Sequence, residues 1–223
     1  MMKTVIYTAI TSNYDSLKQI RNQNQNFDLI CFTDNPNLRY NSYNWNIYPI
    51  PDDLLSFSKI KQQRLLKILP HKYLSKYDVS IWIDGNITII GDMWKYIASL
   101  DLNKYSFYVK KHPSRDCLYE EAKAINIYSK ENQVMLNMIV NRYKNENVPE
   151  HVGLHETSVI IRRHNDVKCK ILDNMWAKEL IENSHRDQMS FDYCRWKLNY
   201  EIGELNIGSL RSDSNFRWEK HNG

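Results

Sequence analysis

Glycine is scarce in this chain, six residues in 223, and none of the six falls in a G-x-G-x-x-G fingerprint or a Walker-type phosphate loop. Dinucleotide and P-loop chemistry therefore have no sequence support. G-x-S-x-G and H-E-x-x-H are missing too, so neither a hydrolase elbow nor a metalloprotease helix is indicated. The four cysteines, Cys31, Cys117, Cys169 and Cys194, form no C-x-x-C pair. Buried, reduced thiols are expected and a zinc cluster is not. No segment approaches the roughly 18 apolar residues that a membrane span needs. Met1-Met2-Lys3-Thr4 leads into a strand pattern rather than an apolar leader, and the expected location is soluble and cytoplasmic. Basic residues exceed acidic ones by only four and form no dense run, which argues against nucleic acid. That mild excess suits a phosphate-bearing ligand or a weak membrane-surface contact. Internal repeats, low-complexity segments and linkers are not found, so one domain is expected.

What is present is an alternation of short β-type runs and helical patterns, in a chain with 42% hydrophobic residues. Thr4–Ile10 reads as a buried strand, followed by small polar residues and a helix predicted over Leu17–Arg21. Phe27–Asp34 and Trp45–Ile50 read as further strands, and residues 58–73 have helical spacing. Val79-Ser80-Ile81-Trp82-Ile83 then ends in Asp84-Gly85-Asn86 before a second β-type run, Ile87–Ile90. Such a sequence is either a tight hairpin turn or a buried strand delivering a carboxylate and an amide to a ligand site. Beyond it lie a strand at Tyr105–Lys110, a loop from His112 into a helix, and a helix over residues 130–144. A strand fed by the loop at Gly153 and a helix over residues 167–181 follow. Strands alternating with helices predict an α/β fold with a mostly parallel central sheet flanked by helices. In that arrangement Thr8–Asn13, Asp34 and Asp84–Asn86 share the carboxyl edge of the sheet.

A pocket on that edge holds carboxylates, amides, imidazoles and cations but no obvious nucleophile. Asp84 and the Asn86 side-chain oxygen suit a hard divalent cation. Asp34 is either a partner for a base or ribose or a turn cap. Arg64 and Lys67 either face phosphates or belong to a solvated helix face. Ser184 followed three residues later by Asp187 matches a capping box, which would also hold Asp187 and Gln188 rigidly. His112 and Arg115 are acceptor or phosphate contacts or surface charges. His155 and Glu156 precede a buried strand, where one can be a structural partner. His221 is either an unremarkable tail residue or a group that closes over a metal.

Taken in order, Arg64-Leu65-Leu66-Lys67-Ile68-Leu69-Pro70-His71, Trp82-Ile83-Asp84-Gly85-Asn86, His112-x-x-Arg115-Asp116-Cys117-x-Tyr119-x-Glu121, Gly153-Leu154-x-Glu156, Arg162-Arg163-His164 and Arg186-Asp187-Gln188-x-Ser190 form one series. The series resembles the TOD1/MUCI70-type glycosyltransferase-like family of plant mucilage and turgor-defect proteins, over about residues 4–195. The resemblance implies a GT-A (Rossmann-like) nucleotide-diphospho-sugar transferase fold. A nucleotide-binding half (about 1–100) would be continuous with an acceptor half (about 101–223). It places Asp84-Gly85-Asn86 where GT-A enzymes carry Asp-x-Asp, which holds Mn²⁺ or Mg²⁺ against the diphosphate. The asparagine here removes one of the two charges. Asp187-Gln188 is similar to a pair near the donor sugar, and His221 to a late metal ligand.

The function that follows is transfer of a sugar from a nucleotide sugar, a UDP-sugar, to a glycan acceptor in surface polysaccharide or glycoconjugate synthesis. Thr8, Ala9, Asn13, Tyr14 and Asp34 would hold the nucleoside, and Arg64 and Lys67 the phosphates. Asp84, Asn86 and His221 would hold the metal. Arg186, Asp187 and Gln188 would act at the transferred sugar, while His112, Arg115, Glu120, His155 and Glu156 would line the acceptor side. Two alternatives stay open: a non-catalytic nucleotide- or sugar-binding module, and a lipid amide hydrolase. Oligomeric state is not legible.

Overall fold

The computed structural model describes residues 2–20, 27–128, 131–183, 186–209 and 212–221. Strands β1 (Thr4–Ile10), β2 (Asp28–Thr33), β3 (Asn46–Pro49), β4 (Val79–Ile83), β6 (Phe107–Lys111), β7 (His155–Arg162) and β8 (Gly203–Glu204) form one sheet in the order β3-β2-β1-β4-β7-β6-β8. A separate pair joins β5 (Ile87–Ile89) to β9 (Phe216–Trp218). The helices are α1 (Lys59–Ile68), α2 (Pro70–Tyr73), α3 (Met93–Ala98), α4 (Leu118–Ile127), α5 (Gln133–Asn145), α6 (Val167–Glu182) and α7 (Asp187–Lys197).

The mostly parallel sheet expected from the alternation is present. Neighbours run parallel except at β7, which is antiparallel to both β4 and β6. The period-two alternation along β1 divides the core. Val5, Tyr7 and Ala9 face a cluster that includes α1, α4, α5, α6 and α7, while Ile6 and Ile10 face one built from β5, α3 and Phe216. Because β7 is reversed, its amino end, His155–Ser158, lies at the same edge as the carboxyl ends of β1, β2, β4 and β6. That edge carries the site.

Two local expectations are corrected. Leu17–Ile20 are not helical (Arg21 lies outside the described residues). The Lys18 carbonyl is taken by the Trp45 indole N–H at 2.9 Å, and Leu17 is buried in the core, so packing overrides the weak helical pattern. The helix expected over residues 58–73 breaks in two. Ser58 caps it, and Pro70, which has no N–H to donate, restarts it as α2. All four cysteines are buried and unpaired.

The break leaves the Lys67 carbonyl without a helical partner, and it is met by the Tyr7 hydroxyl at 2.8 Å and by the Arg162 guanidinium. Arg162 is fully buried, donates to Tyr7 at 2.9 Å and pairs with Asp173 of α6 at 2.7 Å. One side chain thus ties β7 to β1, α1 and α6. Two residues on, His164 is buried with its Nε2–H donated to the Leu74 carbonyl at 3.0 Å. Burial, reinforced by the nearby Arg162 charge, pushes its pKa down to about 4.

Above its unfolded pKa of about 6.5, His164 is neutral in both states and its contribution is complete. As the pH falls from 6.5 towards 4, the unfolded chain takes up a proton that the folded chain refuses, so stability is lost, by about 3 kcal/mol at most. Urea titrations at pH 7.5 and 4.5 are expected to show this loss, and His164→Asn is expected to flatten it.

Candidate active site

The centre of the sheet edge is an ionic cluster. Asp84 follows the last residue of β4, and its N–H donates to the Ser158 carbonyl of β7 at 2.8 Å. Asp84 Oδ1 accepts from the Trp82 indole at 2.7 Å and from Lys67 Nζ at 3.3 Å, with Arg64 Nη1 at 3.8 Å. Lys67 Nζ also reaches Asp187 Oδ2 at 2.6 Å and the Thr157 hydroxyl at 2.9 Å. Thr157 donates in turn to Asp187 Oδ2 at 2.9 Å, and Arg64 Nε lies 3.3 Å from Asp187 Oδ1. Arg64 and Lys67 sit one turn apart on α1, which aims both at the strand end. The Lys67 side chain is 1% exposed, so its charge is held entirely by protein groups. Burial alone would raise the Asp187 pKa. The Arg64 and Lys67 charges outweigh it and hold the carboxyl well below the usual range, so Asp187 is ionised at neutral pH.

Above this cluster lies a cleft of about 610 Å³ lined by Ala9, Tyr14, Asp15, Lys59, Arg64, Asp84, Gly85, Arg186 and His221, among others. Its size fits a small-molecule site. The hairpin reading of Asp84-Gly85-Asn86 is replaced by a turn without a hairpin. Ile87 N–H donates to the Asp84 carbonyl at 2.9 Å, but β5 pairs with β9 and not with β4. A Cβ at 85 would stand 2.9 Å from Asp15 Oδ2 and 3.0 Å from Asp15 Cβ, so a larger residue there would push the Asp15 side chain aside.

Asn86 and His221 are brought together. The Asn86 amide nitrogen lies 3.3 Å from His221 Nε2 and donates to the Glu219 carbonyl at 3.2 Å. His221 Nδ1 faces the Asp15 carboxylate at 2.9 Å, and its ring packs 4.8 Å from Tyr14. A carboxylate can only accept, so Nδ1 carries a proton and donates it, which turns Nε2 towards Asn86. A carboxylate orienting an imidazole in this way is the usual outer partner of a metal-bound histidine. Asp84, the Asn86 amide oxygen and His221 are, as a donor set, suited to Mn²⁺ or Mg²⁺. Among the described residues no three His, Cys, Asp or Glu side chains group closely enough to hold an ion by themselves.

Other expected residues are placed differently. Thr8 is buried and does not line the cleft; Thr11 and Ser12 do. Asp34 bridges neighbouring strand ends, accepting from Ser12 N–H at 3.0 Å and pairing with Lys59 at 3.1 Å, and lines a neighbouring hollow, while the turn after β2 is capped by Asn35. Asn13 accepts from the Asn35 amide at 2.7 Å. Asp187 lies beneath the cleft with both oxygens committed, while its neighbour Arg186 lines it. Gln188 is half-buried in the first turn of α7. The cap expected from Ser184 lies outside the described residues.

A second cleft, of about 800 Å³, opens at the end of β6. It is lined by Lys110, Lys111, His112, Pro113, Glu156 and Trp218 among others. Lys110 pairs with Glu156 at 2.7 Å. His112 Nδ1 accepts the Arg115 backbone N–H at 3.0 Å, and burial together with the Arg115 charge lowers its pKa. The remaining acceptor candidates do not line this cleft. Arg115 is clamped to Glu121 at 2.8 Å, Glu120 is exposed outside the cleft, and buried His155 is pinned to Asp192 at 2.7 Å. The sequence reading missed Asp15, Thr157 and Trp218 as site groups. Only Thr157, next to Glu156 at a strand start, had a local signal.

A family profile described as "TOD1/MUCI70, glycosyltransferase-like domain" matches residues 1–209. Over 141 residues, 59% of this chain and 24% of the relative, the chain is 26% identical to an Arabidopsis thaliana protein described as "Probable hexosyltransferase MUCI70". It thus spans about a quarter of that relative's length. Among solved structures it is similar to "WbbM bifunctional glycosytransferase apo structure", with a TM-score of 0.55 and 11% identity. That likeness covers 92% of this chain and 39% of the other. The expected GT-A fold is thereby shared.

Loss of Lys67 leaves Asp187 buried beside a single cation. Lys67→Met is expected to cost about 3–5 kcal/mol in urea unfolding. Combining it with Asp187→Leu is expected to recover much of that loss, giving a clear coupling energy in the double-mutant cycle.

Proposed function

Because the chain belongs to the TOD1/MUCI70 glycosyltransferase-like family, we propose that it is a glycosyltransferase moving a hexosyl group from a UDP-sugar to a glycan acceptor, in surface polysaccharide or glycoconjugate synthesis. The observation that carries this reading is Asp84 at the end of the central strand, facing a cleft that also presents Lys59, Arg64 and Arg186.

In this reading the nucleoside lies against Ala9, Ser12 and Tyr14, and the diphosphate against Arg64 and Arg186. Transfer breaks the bond between the sugar's anomeric carbon and a diphosphate oxygen, forms one to an acceptor hydroxyl oxygen, and passes that hydroxyl's proton to the departing diphosphate. The leaving group gains negative charge, which fixed cations at the cleft offset without reorganising. Mn²⁺ or Mg²⁺ held by Asp84, Asn86 and His221 would add Lewis-acid stabilisation of that same charge. Both Asp187 oxygens are engaged, by Lys67 and Thr157 on one side and Arg64 on the other, which leaves neither open to the acceptor hydroxyl. Its role is to neutralise Lys67 and to hold Arg64 in place. The acceptor occupies the second cleft, where Glu156 can accept from its hydroxyls.

A second reading, a binding module without transfer, draws support from Asn86, whose amide is engaged with Glu219 and His221. The hydrolase alternative gains no support from any three-ligand cluster among the described residues.

The purified protein with Mn²⁺ is expected to turn over at least one of UDP-glucose and UDP-galactose and to be stabilised thermally by UDP. Asp84→Ala is expected to lower turnover by on the order of 100-fold with circular dichroism unchanged. UDP binding without turnover would favour the module instead.

A further inference from the structure

The segment from Phe216 to His221 serves both clefts. Trp218 lines the larger one, and His221, three residues on, lines the smaller. Three residues of extended chain span at most about 10 Å, so the backbone positions that wall the two clefts lie within that distance of each other. The segment is set by pairing, with Trp218 opposite Ile87, directly after the Asp84–Asn86 turn. It lies beyond the residues that match the family.

We propose that Trp218 is the platform on which a pyranose ring of the acceptor glycan packs, with the Lys110–Glu156 pair reading the ring's hydroxyls. This rests on the transferase reading and names the acceptor chemistry of its second cleft. Trp218 is 37% exposed at the wall of a cleft that also carries Lys110, Lys111 and Glu156. An aromatic surface in water beside a paired ammonium and carboxylate matches few ligands. A pyranose offers an apolar C–H face to an indole and a rim of hydroxyls that both donate and accept. A lipid chain would cover the Lys110–Glu156 pair without offering it a hydrogen bond in place of water, and a nucleic-acid backbone would meet the Glu156 carboxylate. Lys110 is buried, and a bulge between Val109 and Lys110 interrupts the β6 ladder there, a device that re-aims side chains at sites.

Saturation-transfer NMR with maltose, cellobiose and lactose, in the presence of UDP and Mn²⁺, tests the proposal. At least one disaccharide is expected to bind wild-type protein, Trp218→Ala to weaken that binding at least tenfold, and Trp218→Phe to restore part of it. Lys110→Met is expected to weaken binding severalfold with the tryptophan intact. The thermal shift produced by UDP is expected to persist in Trp218→Ala, which shows that the variant is folded. Binding that is undiminished in Trp218→Ala, or no binding of any of the three by wild type, overturns the proposal. Saccharide binding that depends on Trp218 without turnover of any UDP-sugar keeps the platform and removes the transferase reading, so the two fail separately.

Discussion

Lys67 is held at both ends, and the sheet edge is organised by that double hold. Its backbone carbonyl, freed by the break before Pro70, is taken by Tyr7 and Arg162. Its ammonium is taken by Asp187, Thr157 and Asp84. A buried ammonium is tolerated only with complete compensation, so α1, β1, β4, β7 and α7 must all be in register for it to be satisfied. The cluster has two cations, Arg64 and Lys67, and two carboxylates, Asp84 and Asp187. It is neutral as a set while presenting Arg64 and Asp84 upwards into the cleft. Arg162 repeats the strategy one layer below with Asp173.

This arrangement separates roles that the residue types alone do not distinguish. Asp84 and Asp187 are both carboxylates at element ends, yet the Asp84 side chain retains 22% exposure, whereas Asp187 is sealed by two cations and a hydroxyl. His155 and His112 both stand near the second cleft. The first is locked by Asp192 and the second lines the open space. Reactivity follows from what each partner leaves uncovered.

The strands of the α/β half were legible because β-branched runs flanked by polar punctuation have one ready reading. β7 was legible as a strand but not in direction, since composition carries no orientation. The failed helix at Leu17 reflects an indole from Trp45 competing for a carbonyl, a contact across 27 positions that no local pattern reveals. Helix α3 went unread although Asp92 signals it, capping the N–H groups of Trp94 and Lys95. In the site, Asp84 and the Arg64/Lys67 spacing were readable because they are local. Asp15 was not, since its meaning comes from Gly85 and His221, far away in the chain.

The β5–β9 pairing has a consequence for timing. The Glu219 carboxylate bonds the Thr88 hydroxyl across 131 positions, and Glu219 also pairs with Lys18 at 2.9 Å. Every strand of the seven-stranded sheet is synthesised before Phe216–Trp218, so the wall that this segment and His221 give to the two clefts is made after the scaffold it closes.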